Sequence, residues 1–159
     1  MKINYSILFL LVTFLFFSCD KKRVFDEYKS VGNSWHKDSI VSFDLPILDS
    51  AKRYNLFVNL RANNDYPFNN LFLIVSLEMP NGYTKVDTLE YQMANPDGEI
   101  LGNGFTDLKE SKLFYKEKVR FRGKYKVNIK QSLRESGKIQ GKKNLEGITD
   151  VGFRIEKID

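Results

Sequence analysis

The residues with the widest chemical range in this chain are one cysteine and one histidine. Cys19 follows Phe16-Phe17-Ser18, an apolar pair and a small residue, which is the pattern of a bacterial lipobox. In that setting the thiol would carry a diacylglycerol, and cleavage before Cys19 would free an amine for a further acyl chain such as palmitate. Two or three chains anchor stably, because each buried CH₂ contributes about 0.8 kcal/mol. The same residues also fit a plain secretory signal in which the cysteine has no role.

The scarcity of imidazoles and thiols argues against most enzyme classes. A single cysteine cannot form an internal disulfide, and Cys19 with His36 cannot build a Cys/His zinc site. Any Ser-His-Asp triad would have to use His36, and no two carboxylates stand out as a glycosidase acid and base. We therefore expect no catalytic, cofactor-binding or metal site, and an enzyme is the weakest hypothesis.

The beginning of the chain predicts a targeting segment. Residues 7–17 are almost wholly apolar, and this run is well below the ~20 residues that a membrane-spanning helix needs. We interpret residues 1–18 as a lipoprotein signal peptide and residues 19–24 as the acylated cysteine with a polar tether. Residues 25–159 then form one β-sandwich domain, since they show no linker and no repeat.

Positive charge is concentrated in one region of the chain. Residues 109–143 hold thirteen Lys or Arg against three Glu, whereas the whole chain has a net charge of only +5. Residues 116–130 alternate so regularly that they predict one strand with an apolar inner face and a cationic outer face, interrupted by a bulge or bend at Gly123. The candidate partner-binding cations are Lys118, Arg120, Arg122, Lys124 and Lys126. This face could bind phosphates, acidic sugars or an acidic protein, or it could be a solvated face that protects a sheet edge.

Three aromatic residues are further candidates for partner binding. Tyr66 and Phe68 lie in a connection that is rich in asparagine, and Trp35 precedes the first clear strand. They could form a recognition edge or a platform on which a carbohydrate stacks. Alternatively, the connection folds back over one end of the domain and Trp35 is a core residue.

Short alternating segments indicate an all-β fold. The strands predicted by alternation cover residues 40–46, 54–62, 71–79, 83–91, 116–130 and 149–158. The continuous apolar run at 71–75 indicates a central strand covered on both faces. The turn signals are Pro80-Asn81-Gly82 and residues 95–98, and Gly102-Asn103-Gly104 is a third break. One short helix is predicted near residues 131–135. This pattern favours an antiparallel β-sandwich, jelly-roll-like, with at most short helices.

Taken in order, segments along nearly the whole mature chain resemble one family, the gliding-motility lipoproteins called GldH. The residues that carry the resemblance are Cys19, Trp35, Phe43-Asp44-Leu45, residues 54–61, 65–71 (DYPFNNL), Asp87-Thr88, residues 96–98, Gly102-Asn103-Gly104, Gly123-Lys124-Tyr125 and residues 145–156 (LEGITDVGFRIE). The resemblance implies a non-catalytic lipoprotein of the Bacteroidota, located at the outer membrane. It also implies a role in gliding over surfaces, which is coupled to type IX secretion, and it supplies no catalytic residues.

Together these observations predict an accessory or scaffold subunit of the gliding and secretion apparatus. Its partners would be membrane lipid, through acylated Cys19, and other envelope proteins of that apparatus, but not nucleic acid. The residues after Cys19 are basic and do not resemble an acidic export signal, so we expect the anchor to face the periplasm. The alternative is a carbohydrate-binding envelope lipoprotein that uses Tyr66, Phe68 or Trp35.

Overall fold

The structure is a computed structural model, and it describes residues 20–134 and 141–158. Within these ranges the chain forms ten strands and no helix. The strands are β1 Arg23–Ser30, β2 Ser34–His36, β3 Val41–Asp44, β4 Tyr54–Ala62, β5 Asn70–Glu78, β6 Thr84–Gln92, β7 Lys109–Val119, β8 Lys126–Gln131, β9 Asn144–Glu146 and β10 Ile148–Lys157. Cys19 and the predicted signal peptide lie outside the described residues.

The eight longer strands form two antiparallel four-stranded sheets. Sheet one has the order β1-β10-β4-β7 and sheet two has the order β3-β8-β5-β6, with β2 and β9 as a separate ribbon. The pairs are nested along the chain: the first strand, β1, pairs with the last, β10, and inside this pair β3 pairs with β8, β4 with β7, and β5 with β6. This nested pairing is that of a jelly roll, so the predicted fold class is confirmed.

Strict alternation explains why the core lies between the sheets. Neighbouring side chains in a strand point to opposite faces, so one face of each sheet can be wholly apolar. The fully buried apolar residues of the inner strands are Leu56, Val58, Leu60, Leu71, Leu73, Val75, Val127, Ile129, Ile148, Val151, Phe153 and Ile155. The outer face of β5 is only half-buried, at Phe72 and Ile74, so the prediction that this strand is covered on both faces is wrong. A sandwich packs only one face of each sheet.

The regular segment 116–130 is two strands rather than one. β7 ends at Val119 in sheet one, and β8 begins at Lys126 in sheet two. Residues 120–125 cross from one sheet to the other, with Gly123 at a φ of 96°. The prediction of one continuous basic strand is therefore wrong, although Phe121, Val127 and Ile129 do point inward. Alternation survives the crossover, so the pattern could not reveal where the sheet changes.

The predicted helix is absent from the part of its range that the structure describes. Gln131 ends β8, and Arg134 forms a β-bridge with Gly141; residues 135–140 lie outside the described residues. At the other end of the chain, β1 begins at Arg23 and pairs with β10. This strand is hard to recognise in the sequence because Phe25 is its one buried side chain.

Candidate functional site

The polar segment after Cys19 is fastened to the domain. The Asp20 carboxylate pairs with the Arg154 guanidinium, and the Lys157 amide donates to the Lys22 carbonyl at 2.8 Å. Residues 20–22, where we expected a tether, therefore form a turn that is held against the edge of sheet one. A single peptide bond joins this fastened segment to Cys19.

The fastening belongs to a charged network on the outer face of sheet one. The Arg154 guanidinium also contacts Asp26 at 2.8 Å and Glu156 at 2.7 Å, and the Lys112 ammonium reaches Glu156 at 2.6 Å. Partial burial opposes the charge on Arg154, but the three carboxylates outweigh it and raise the pKa of the guanidinium. Burial likewise opposes ionisation of Glu156, yet its two cations hold the pKa of that carboxyl below its ordinary value. The network ties β1, β10 and β7 together through side chains.

At one end of the sandwich, the start of the domain lies beside several of the connections between strands. In sheet one, Lys157 lies opposite Tyr54, which lies opposite Val119. The crossover from β7 packs Phe121 against the Tyr54 ring at 5.9 Å between centroids, and Gly123 lies against Pro80 in the β5–β6 turn. We call this end the anchor pole and define it as residues 20–23, 45–53, 79–83, 118–125 and 157–158.

The anchor pole is where the structure places the predicted cations. Lys118 is the penultimate residue of β7, Arg120, Arg122 and Lys124 lie in the crossover, and Lys126 begins β8 half-buried. They share an end of the molecule, not the face of one strand. The exposed cations of this pole that form no ion pair with any described residue are Lys21, Arg53, Lys118, Arg120, Arg122 and Lys124.

Apolar side chains protrude from the same end. Ile47 is 77% exposed and Tyr83 is 61% exposed, while Ile158 follows the end of β10 at 36%. Ile47 lies in the connection from β3 to β4, and Tyr83 lies in the β5–β6 turn. The anchor pole therefore combines unpaired cations with exposed apolar groups, a combination that alternation within a single strand does not predict.

The predicted aromatic platform is buried at the other end of the sandwich. Trp35 is fully buried and its indole N–H donates to the Ser39 carbonyl at 3.0 Å. Tyr66 is 4% exposed and its hydroxyl donates to the Asn70 carbonyl at 2.6 Å. Burial raises the pKa of that hydroxyl, and half-buried Phe68 packs edge-on against the Tyr66 ring. Neither Trp35 nor Tyr66 offers a free ring face, so the stacking platform is wrong for both and the core interpretation of Trp35 is confirmed.

The sequence analysis missed an exposed aromatic residue near that end. Phe105 is fully exposed in the loop before β7. Reciprocal backbone hydrogen bonds of 2.8 Å between Asn103 and Glu110 close the loop. An aromatic residue directly after the Gly102-Asn103-Gly104 break was the available signal, because a loop tip has no core in which to bury it.

The Asp87 carboxylate joins two strands through a hydrogen bond and an ion pair. The Tyr115 hydroxyl donates to the Asp87 carboxylate at 2.7 Å, and the Lys116 ammonium pairs with the same carboxylate. These contacts link the edges of the two sheets, since Asp87 is on β6 and its partners are on β7. In residues 20–134 and 141–158, no group of three or more His, Cys, Asp or Glu side chains is arranged to hold a metal ion. The same ranges contain no helix of the length and hydropathy that crossing a membrane requires.

The fold defines the class of protein first: an all-β sandwich of two antiparallel sheets with jelly-roll strand pairing. The model of the "GldH lipoprotein" family matches residues 23–155, and the chain belongs to that family. It is 74% identical to "Gliding motility lipoprotein GldH" of Flavobacterium johnsoniae over the full length of both chains. It is also 58% identical to "Gliding motility lipoprotein GldH homolog" of Christiangramia forsetii, covering 96% of this chain and 94% of the relative.

Among solved structures, a family GH115 4-O-methyl-alpha-glucuronidase is similar, with a TM-score of 0.46 and 12% sequence identity. The similarity covers 89% of this chain and 18% of that enzyme. It says nothing about the activity of this chain.

Proposed function

We propose that this chain is a non-catalytic accessory or scaffold subunit of the gliding-motility and type IX secretion apparatus. It would be anchored through acylated Cys19 to the outer membrane, with the domain facing the periplasm. The observation that carries the proposal is the full-length 74% identity to a protein named for gliding motility. The anchor would raise the concentration of the domain near its partners in the same membrane.

The end of the sandwich that holds Phe105 is the better candidate for binding an envelope protein. Aromatic side chains, including phenylalanine, are enriched at protein interfaces relative to the rest of the surface, and Phe105 projects from a hydrogen-bonded loop. Phe114, which is 53% exposed on β7, adds a second ring on the outer face of sheet one. The carbohydrate-binding alternative has no comparable support, since Trp35 and Tyr66 are buried.

The function is tested by deletion and complementation in the native bacterium. We expect the deletion strain to lose colony spreading or secretion of type IX cargo, and the wild-type gene to restore it. A Cys19→Ala gene should restore neither, because its product has no thiol to acylate. A deletion strain that spreads and secretes normally would refute the proposed role.

Partner identity and orientation need separate measurements. Crosslinking in intact membranes, followed by capture of the wild-type protein, should recover envelope proteins that the Phe105→Ser variant recovers poorly. Protease added to intact cells should spare a domain that faces the periplasm. Cleavage of the domain in intact cells would place it on the outer surface instead.

A further inference from the structure

We propose that the anchor pole is a membrane-contact surface that lies against the phosphate headgroups of the bilayer. The inference rests on the lipid anchor proposed above and extends it, because acyl chains alone do not fix how a domain is oriented. It assigns a task to the cations that the sequence analysis placed on one strand. It also explains why exposed apolar groups share their end of the molecule.

Unpaired positive charge is the first observation. The six exposed cations of the pole have no ion-pair partner among the described residues, whereas Asp20 is paired with Arg154 and Asp49 lies 3.7 Å from Lys52. The nearby carboxylates that remain exposed are Asp44 and Glu117. Each cation close to an anionic bilayer favours contact about fivefold, so this excess is enough to orient a small domain.

Protruding apolar side chains are the second, independent observation. Tyrosine is enriched at the level of the headgroups, where its ring is partly buried and its hydroxyl stays wet, and Tyr83 is suitably placed. Ile47 would enter the boundary between headgroups and acyl chains. An aliphatic side chain gains nothing from a free phosphate ion, so cations combined with Ile47 and Tyr83 indicate a bilayer surface.

The short connection to Cys19 is the third observation. Asp20 is held by Arg154, and one residue spans at most about 3.6 Å, so acyl chains on Cys19 would bring the pole down to the headgroups. The nine residues of β4 extend about 30 Å away from that pole at ~3.3 Å per residue. Contact through the anchor pole therefore points the Phe105 end away from the bilayer, towards the parts of partner proteins that lie outside the membrane.

The test uses the acylated protein reconstituted into vesicles. Because Cys19 is the single cysteine of the chain and is blocked by its acyl chains, an added cysteine is the only free thiol. Ser50→Cys places a fluorescent donor at the anchor pole, and Asn64→Cys places it at the opposite end; both positions are exposed. Energy transfer to an acceptor on lipid headgroups then reports which end is close to the bilayer. The vesicles are phosphatidylcholine alone, or phosphatidylcholine partly replaced by phosphatidylglycerol.

We expect stronger transfer from Ser50→Cys than from Asn64→Cys, and a further gain with phosphatidylglycerol that high salt removes. Neutralising three crossover cations (Arg120→Gln, Arg122→Gln and Lys124→Gln) should lower the ratio of contacting to detached domains about 100-fold on anionic vesicles. Ile47→Ser should lower the ratio about tenfold on both kinds of vesicle, because apolar burial does not depend on lipid charge.

The matched control neutralises three exposed cations away from the pole: Lys37→Gln, Lys130→Gln and Lys143→Gln. It changes the net charge equally and should leave transfer from Ser50→Cys unchanged. Equal transfer in the two triple variants, or equal transfer from the two label positions, would overturn the inference. So would a crossover variant that keeps vesicle contact but loses a crosslinked protein, since the pole would then be a protein interface. Mass spectrometry of each preparation reports acylation separately: missing acyl mass contradicts the lipid anchor, not the basic pole.

Discussion

Gly147, between β9 and β10, allows the chain to pass beneath the Tyr66 loop. Its φ is +82°, and a Cβ there would overlap the backbone nitrogen and Cα of Tyr66 and lie 2.6 Å from the Tyr66 Cβ. Gly82 in the β5–β6 turn has nearly the same φ, +81°, but open space within 4 Å. The two glycines therefore separate the cost of a left-handed backbone from the cost of a steric clash.

We expect Gly82→Ala to destabilise the fold by about 1 kcal/mol. An L-residue in the left-handed region costs roughly 1–2 kcal/mol, and the lower entropy of the unfolded chain returns about 0.4–1 kcal/mol. Gly147→Ala has the same two contributions and also displaces Tyr66. A tyrosine buries ~150–250 Å², worth about 4–6 kcal/mol at ~25 cal/mol per Å². Losing half of that burial brings the total to about 3–4 kcal/mol.

Urea unfolding of the acylated protein in detergent measures both variants against the wild type. The expected result is a midpoint for Gly147→Ala well below that for Gly82→Ala, with similar slopes. If the two free energies of unfolding agree within about 0.5 kcal/mol, close to the error of additive comparisons, the close approach of Gly147 to Tyr66 does not constrain the fold.

Three further predictions follow from burial and charge. Trp35→Ala should lower the free energy of unfolding by about 3–5 kcal/mol, because it empties a fully buried site; a urea midpoint equal to that of the wild type would contradict this. Glu156→Gln should flatten the dependence of the free energy of unfolding on pH in the acid range. The pKa of the Glu156 carboxyl is lower in the folded state than its ordinary value of 4.5. The carboxylate therefore stabilises the fold above pH 4.5, and this stabilisation is lost as the pH falls through the folded-state pKa. Denaturation curves of both proteins at several pH values check this, and parallel losses of stability would count against it. Phe105→Ser should change stability by less than about 0.5 kcal/mol while reducing partner crosslinking, and a large drop in the thermal midpoint would show that the ring packs in the fold.

Alternation was sufficient to predict the fold class and the inward residues of most strands. β4 has the bounds that the pattern predicts, and β5, β6 and β10 differ from their predicted bounds by one residue at each end. The prediction holds for these strands because one face of each is buried and the other is exposed to solvent. Apolar and polar residues then alternate along the sequence with a period of two. β1 escaped prediction because it is an edge strand whose position is set by its pairing with β10 and by Arg154.

The residues of the candidate functional surface were harder to predict from the sequence than the strands were. Ile47 is a single apolar residue in a loop, and such a residue is equally compatible with burial or exposure. For Phe105 the preceding glycine break was the one signal of a loop tip. Tyr66 shows the converse, since it lies in a connection that was a candidate recognition edge and the structure buries it. Whether a loop residue is covered depends on the chain that packs over it, and that chain is distant in sequence.

The sequence by itself determined the all-β class and the excess of positive charge between residues 109 and 143, and it predicts the lipid attachment at Cys19. These properties depend on residue type and local period alone. Only the tertiary structure decided that Arg120, Arg122 and Lys124 lie in a crossover beside the start of the domain. The consecutive strands β7 and β8 lie in opposite sheets, so the direction in which these cations point depends on the crossover between the sheets. Local alternation continues through that crossover and does not reveal it.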